Sequence, residues 1–239
     1  LSEVGAHGTA AMLKPIRVWD LPTRVFHWAL VLCVAGAFVS VKLGGNAMVW
    51  HGRCGLAVLG LLAFRLVWGF VGSTYARFAR FLQGPAAIRA YLRGQWQGEG
   101  HNPLGALSVL AMLGILLAQA GLGLFANDDI AFEGPLYALV GKDLSDRLTA
   151  IHRLLEPLIL LLVAMHLGAI FYYVGCRRQT LIMPMITGMK ASSAEPARGG
   201  GAAAFCLALV LALAAVYGAS GAWLPAPPLA EGTGSAPAF

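Results

Sequence analysis

Charge is scarce in this chain. Asp, Glu, Lys and Arg together supply 12% of its 239 residues, about half the share of an ordinary soluble domain. With 58% hydrophobic residues and a mean hydropathy of +0.71, that scarcity excludes a soluble globular class and points to a polytopic membrane protein. Cysteine is also sparse. Cys33, Cys54, Cys176 and Cys206 form no C-x-x-C and no C-x-x-C-H, so covalent c-type haem attachment is excluded. Three of them lie in or near apolar spans and read as buried, weakly reactive thiols. Residues 1–24 contain no apolar h-region, so no cleavable signal peptide is expected there and the first span inserts as it stands. Carboxylates are outnumbered, 11 against 17 basic residues, for a net charge of +6. At this hydropathy the excess belongs in basic loops beside a membrane, and nucleic acid is not an expected partner.

What the chain does contain is a succession of long apolar runs. Asp20-Leu-Pro-Thr reads as a helix start, with a capping acid and an early proline. A first span follows, about Val25 to Leu43, and Gly44-Gly45-Asn46 turns the chain into a second, about Trp50 to Gly72. From Ser73 to Gly100, Arg77, Arg80, Arg89 and Arg93 alternate with aromatic and aliphatic residues, the pattern of short helices lying among headgroups. Asn102-Pro103 caps a third span, about Leu104 to Phe125. An acidic loop is expected from Ala126 to Ala150, carrying Asp128, Asp129, Glu133, Asp143 and Asp146. The fourth span runs from Ala150 to Val174 and stops at Cys176-Arg177-Arg178. After a polar linker, a fifth, Ala/Leu/Val-rich span covers about Ala202 to Trp223. The expected organisation is therefore a poorly ordered lead (1–24, with His7 an ordinary solvated side chain), a four-helix core (25–176), a linker (177–201), a fifth helix (202–223) and a flexible tail (224–239). The fold class is an all-α membrane protein, a four-helix transmembrane bundle plus a fifth C-terminal transmembrane helix.

Most Lys and Arg fall in the lead, in Ser73–Gly100 and in the linker. By the positive-inside rule these face the cytoplasm, and the acidic loop and carboxyl tail face outward. That fixes the depth of each histidine. His27 opens the first span at the inner face, and His51 opens the second at the outer face. His152 and His166 sit fourteen residues apart on the fourth. Fourteen helical residues advance ~21 Å and return the ring to within about 40° of the same face. The rings thus pair by depth, His51 with His152 and His27 with His166, each pair drawn from two helices. Facing imidazoles suit the two axial positions of a b-type haem, leaving no open coordination site. On geometry alone, a zinc or proton path and plain interfacial histidines remain alternatives. Zinc is disfavoured because neither level offers a third ligand at metal spacing, Glu156 being the one candidate. Arg65, deep in the second span, reads either as snorkelling to headgroups or as the partner of an inner-haem propionate. Arg53 and Arg153 are candidates for the same task at the outer level. His101, just before the Asn102-Pro103 cap, belongs to the inner surface and stands as a further cofactor-side candidate. Trp28, Trp50 and Trp68 read as interface anchors.

The runs VWDLPTRVFHW, HG-R-x-G at the second span, FRLVWGFVGS, HNPLGALSVL and H-x13-H in the fourth span, in this order, resemble the prokaryotic cytochrome b561 family and the cytochrome b subunits of nickel–iron hydrogenases. The likeness covers about residues 14–190. It implies a four-helix haem-binding core with two non-covalent, bis-histidine b haems on His27, His51, His152 and His166. It also implies electron transfer between the quinone pool and a redox partner: a hydrogenase, a periplasmic c-type cytochrome or superoxide. Two features depart from the pattern. Arg153 stands where many relatives carry an acid, and the fifth span lies beyond the four-helix core. The expectation is thus a di-haem cytochrome b of the bacterial inner membrane, in contact with lipid, quinone and a periplasmic redox protein. Its amino terminus is cytoplasmic and its carboxyl terminus periplasmic. A superoxide- or quinol-oxidising enzyme at the outer haem, and a haem-free histidine-lined transporter, are the alternatives.

Overall fold

The computed structural model describes residues 13–96, 100 and 102–225. In chain order the elements are β1 (Lys14–Arg17), α1 (Leu21–Leu43), α2 (Met48–Val71), α3 (Phe78–Phe81), α4 (Pro85–Leu92), α5 (Pro103–Gly123), α6 (Lys142–Phe171), α7 (Ile182–Thr187), β2 (Met189–Ser192) and α8 (Ala202–Ala219). Among the described residues five segments are long and apolar enough to cross a membrane: Leu21–Leu43, Gly45–Val71, Pro103–Gly123, Lys142–Cys176 and Ala202–Ala219. The protein is an all-α membrane bundle of five spans. The end that carries His51 and His152 is called upper below, the other lower.

Local chemistry sets the helix limits. The Asp20 carboxylate accepts from Thr23 N at 2.7 Å, supplying the cap that α1 needs. Gly44 ends α1 at φ 65°, a conformation that costs glycine little. Asn102 repeats the device for α5, its Oδ1 accepting from Gly105 N at 2.7 Å.

Helix α2 is the hub. It packs against α1, α5 and α8, while α6 lies along α5 and stands off from α1 and α2. Lipid tails are as apolar as leucine, so close packing rather than water exclusion holds such helices together. Gly60 shows how close: a Cβ there would lie 2.6 Å from Val216 Cγ2 on α8. Ala208, Ala212 and Ala219 complete that buried seam, and Phe205 stands edge-on to Phe64 and Trp68 at 5.8 and 6.3 Å. The fifth helix is therefore part of the bundle.

The lower end is closed by chain that the sequence reading leaves unstructured. Residues Lys14–Arg17 were expected to be a loose lead, and 177–201 a polar linker. Instead β1 pairs antiparallel with β2, Pro15 opposite Ala191. Trp28 Nε1 donates to Met185 O at 3.2 Å, Tyr75 Oη to Glu195 O at 2.6 Å and Thr74 N to Arg198 O at 2.9 Å. The Asp20 carboxylate also accepts from Trp68 Nε1 at 3.0 Å and from Ser73 Oγ, tying α1 to the lower end of α2. Segments this short carry little periodicity, and their hydrogen bonds come from distant chain.

At the upper end α6 starts at Lys142, eight residues before the expected Ala150, and the acidic loop is correspondingly shorter. Asp143 and Asp146 lower the hydropathy of that first stretch but not its helicity. Lys142 pairs with Asp146 one turn on, at 3.0 Å. Ser145, fully buried, donates to Phe125 O at 2.7 Å. At its other end α6 leaves Phe171 through a π-helical turn, Tyr172–Cys176.

Candidate functional site

A cavity of about 360 Å³ opens between α1, α2, α5 and α6 at the upper end, and His51 and His152 both line it. Their ring centroids are 6.0 Å apart, with planes at 83°. Two metal–imidazole bonds of about 2 Å each, one on either side of an ion, hold ring centres roughly this far apart. The rings are also oriented alike. His51 Nδ1 lies 3.0 Å from Ala37 O on α1, and His152 Nδ1 lies 3.0 Å from Gln119 O on α5. A carbonyl accepts only, so in these contacts each Nδ1 carries the proton and each Nε2 keeps a lone pair. Gln119 Nε2 lies 3.2 Å from His152 Nε2, in keeping with that tautomer, and has to turn aside for a metal to take that lone pair. Each helical hairpin, α1–α2 and α5–α6, thus supplies one imidazole and the carbonyl that orients it.

Small residues make the room. A Cβ on Gly123 would stand 3.1 Å from His152 Cε1, and one on Gly52 would stand 3.2 Å from Phe132. Phe132 in turn meets the His51 ring edge-on at 6.3 Å. Gly55, also in the lining, faces open space. The loop that carries Phe132 is latched to α6. Asn127 Nδ2 donates to Ser145 Oγ at 2.6 Å and to Asp146 Oδ1 at 2.9 Å, and Asn127 N donates to Thr149 Oγ1 at 3.1 Å. Asp128 Oδ1 accepts from the N–H groups of Ile130, Ala131 and Phe132 at 2.8–2.9 Å. The Phe132, Ile130 and Ala131 N–H groups hold that carboxyl below the usual carboxylate range.

His27 and His166 sit toward the lower end, on α1 and α6. Here the second ring nitrogen is treated differently. His27 Nδ1 is buried and has no hydrogen-bond partner among the described residues. Trp28 stands edge-on to the His27 ring at 5.0 Å. Among the described residues no cluster of three or more His, Cys, Asp or Glu side chains is poised for a metal ion.

The arginines separate. Arg153 lines the upper cavity and is exposed. Arg53 is exposed with its guanidinium 4.9 Å from the Trp50 ring, outside the cavity lining. Arg65 does not snorkel: it is 3% exposed, lies 5.0 Å from the Phe78 ring, and its Nη1 has no hydrogen-bond partner among the described residues. His101 lies outside the described residues, as do His7 and residues 226–239. Sequence reasoning missed Ala37, Gln119, Asn127 and Phe132. The Asn-Asp-Asp turn signal was visible for Asn127, but two backbone carbonyls carry no signal in residue identity.

A family model described as prokaryotic cytochrome b561 matches residues 18–188. The probable Ni/Fe-hydrogenase 1 B-type cytochrome subunits of Escherichia coli K12 and of Escherichia coli O157:H7 are each 22% identical over 46% of this chain and 60% of their own length. The chain thus spans under two thirds of those curated relatives. No solved structure matches it.

Proposed function

The chain belongs to the prokaryotic cytochrome b561 family, and from that premise we propose that it is a di-haem cytochrome b carrying single electrons through the bacterial inner membrane. The observation that carries this reading is the upper histidine pair, rings 6.0 Å apart with both Nδ1 protons on backbone carbonyls. That is the arrangement in which an imidazole offers Nε2 to a metal and is held in place through its other nitrogen.

His51 and His152 hold the upper haem, and His27 and His166 the lower one, within a four-helix core spanning 25–176. Haem supplies the one-electron chemistry when bound, and the chain supplies ligation, orientation and a dry surround. Ala37 O and Gln119 O fix the tautomer of the upper rings. Gly52, Gly55 and Gly123 keep the space beside them open. Arg153, at the rim of the upper cavity, and Arg65, buried at the lower end, offer positive charge to carboxylate substituents, Arg53 and His101 being secondary candidates. The basic segments face the cytoplasm, the upper end faces outward, and the partners are quinone within the lipid and a periplasmic redox protein, a c-type cytochrome or a hydrogenase-like subunit. The relatives' printed name, a hydrogenase cytochrome subunit, supports that class of partner.

A reduced-minus-oxidised spectrum with a haem-to-protein ratio tests this, repeated for His27→Ala and His51→Ala. Each substitution removes a different one of the two haems. A colourless preparation, or two substitutions that deplete the same haem, overturns the reading. Arg153, exposed at the cavity rim, also favours a second reading, in which the upper end would take superoxide or quinol as a substrate for one-electron oxidation, with Arg153 attracting the anion. Turnover of superoxide with quinone by the purified protein separates an enzyme from a relay.

A further inference from the structure

Lys42 Nζ and Glu156 Oε1 are 2.8 Å apart, and they join the upper end of α1 to the middle of α6. Backbone approaches between these two helices are otherwise few. The bridge crosses the rim of the upper cavity, whose lining includes Val41, Gly44, Arg153 and Glu156. Glu156 is one turn below His152, hence on the same face of α6.

The covalent structure of α6 makes this the position where a restraint matters. Residue 157 is proline inside the helix. It has no N–H, so the carbonyl of Arg153 loses its helical donor and the helix can bend there. Above that point α6 is latched to the loop after α5 through Asn127, Ser145, Asp146 and Thr149. On the α1 side, the side-chain tie beside the weak point is Lys42–Glu156.

We propose that Lys42 and Glu156 are a positioning pair for the upper histidines, setting the spacing of α1–α2 against α6 and compensating the Glu156 charge at the rim of the cavity. The inference rests on the di-haem reading above. As a source of stability the pair counts for little, since the Lys42 side chain is 70% exposed and Glu156 31% exposed. Its role is instead in where it sits. Glu156 lies one helical turn from His152, and a carboxylate that has lost its ammonium partner favours the more positive, ferric state of a nearby iron.

The test is a redox titration of purified, haem-loaded protein at low ionic strength. The variants are Lys42→Gln, Glu156→Gln and the charge-reversed double variant Lys42→Glu/Glu156→Lys, with the upper haem identified by its absence in His152→Ala. Lys42→Gln lowers the midpoint potential of the upper haem, and Glu156→Gln raises it. The reversed pair returns it toward the wild-type value, and the lower haem stays unmoved throughout. High salt shrinks the two single-variant shifts. Unchanged potentials in both single variants overturn the proposal, and so do shifts of the same sign or a reversed pair that fails to restore the value. Should a single variant lose haem, the reversed pair decides: recovered haem supports the positioning role, and continued loss overturns it. A wild-type preparation without haem instead defeats the di-haem reading itself, so the two failures are distinguishable.

Discussion

The two ends of the bundle treat the same residue type in opposite ways. At the upper end both histidines place Nδ1 on a backbone carbonyl at 3.0 Å. At the lower end His27 Nδ1 is buried with no hydrogen-bond partner among the described residues. The upper end is preorganised by helix backbone and a hydrogen-bonded loop. The lower end is closed by a short sheet and by side chains reaching to Met185 and Ile186. A hydrogen bond to the far nitrogen makes an imidazole a better electron donor to metal, so equal ligands need not give equal sites.

The strongest way to break this comparison is at Gly123. A valine there presses a side chain into the His152 ring, 3.1 Å from the site of its first carbon. Gly123→Val is expected to abolish the upper haem and spare the lower, read from the difference spectrum. A redox titration of the wild-type protein sharpens the contrast. Two steps are expected, the lower haem having the higher potential, because no described residue hydrogen-bonds His27 Nδ1 and Arg65 brings a buried cation to that end. His27→Ala then removes the higher-potential step. If it removes the lower-potential step, the contrast between the ends is misassigned.

Smaller effects come from the loop. Asn127→Ala strips donors from Ser145 and Asp146 and is expected to cost about 1–3 kcal/mol. It should speed dissociation of the upper haem to an acceptor protein without changing that of the lower. Smallest is a pH effect at Asp128. Its carboxyl titrates below the usual carboxylate range because it accepts three N–H bonds. A depressed folded value means that its contribution is present above the unfolded pKa of about 4 and is lost as pH falls through the folded value. Amide exchange at Ile130 and Phe132 should therefore quicken below about pH 4, in excess of intrinsic exchange. In Asp128→Asn that acid step should vanish.

Hydropathy made the five spans legible because a bilayer demands long apolar runs and forbids exposed backbone polar groups. Helix pitch suggested the level of each histidine, and the structure brings the His51 and His152 rings to 6.0 Å from one another. The start of α6 was not legible from hydropathy. Asp143 and Asp146 look like loop residues, and the contacts that stabilise Ser145 and Asp146 come from Asn127 across the loop. Nor was the role of Ala37 or Gln119, because what matters there is a backbone oxygen that any residue would supply. Arg65 was legible as an oddity but not as a buried neighbour of Phe78 and Phe81, which lie on α3, a four-residue helix.

The pairing of Lys14–Arg17 with Met189–Ser192 has a consequence for biogenesis. The first strand leaves the ribosome early, but its mate is synthesised only after the fourth span has been made. The floor beneath His27 can close only once that span has been threaded into the bilayer, whereas both hairpins that build the upper pocket can form as each completes. Assembly of the two ends is thus staggered in time, and a chain stalled before residue 189 would keep its lower end open.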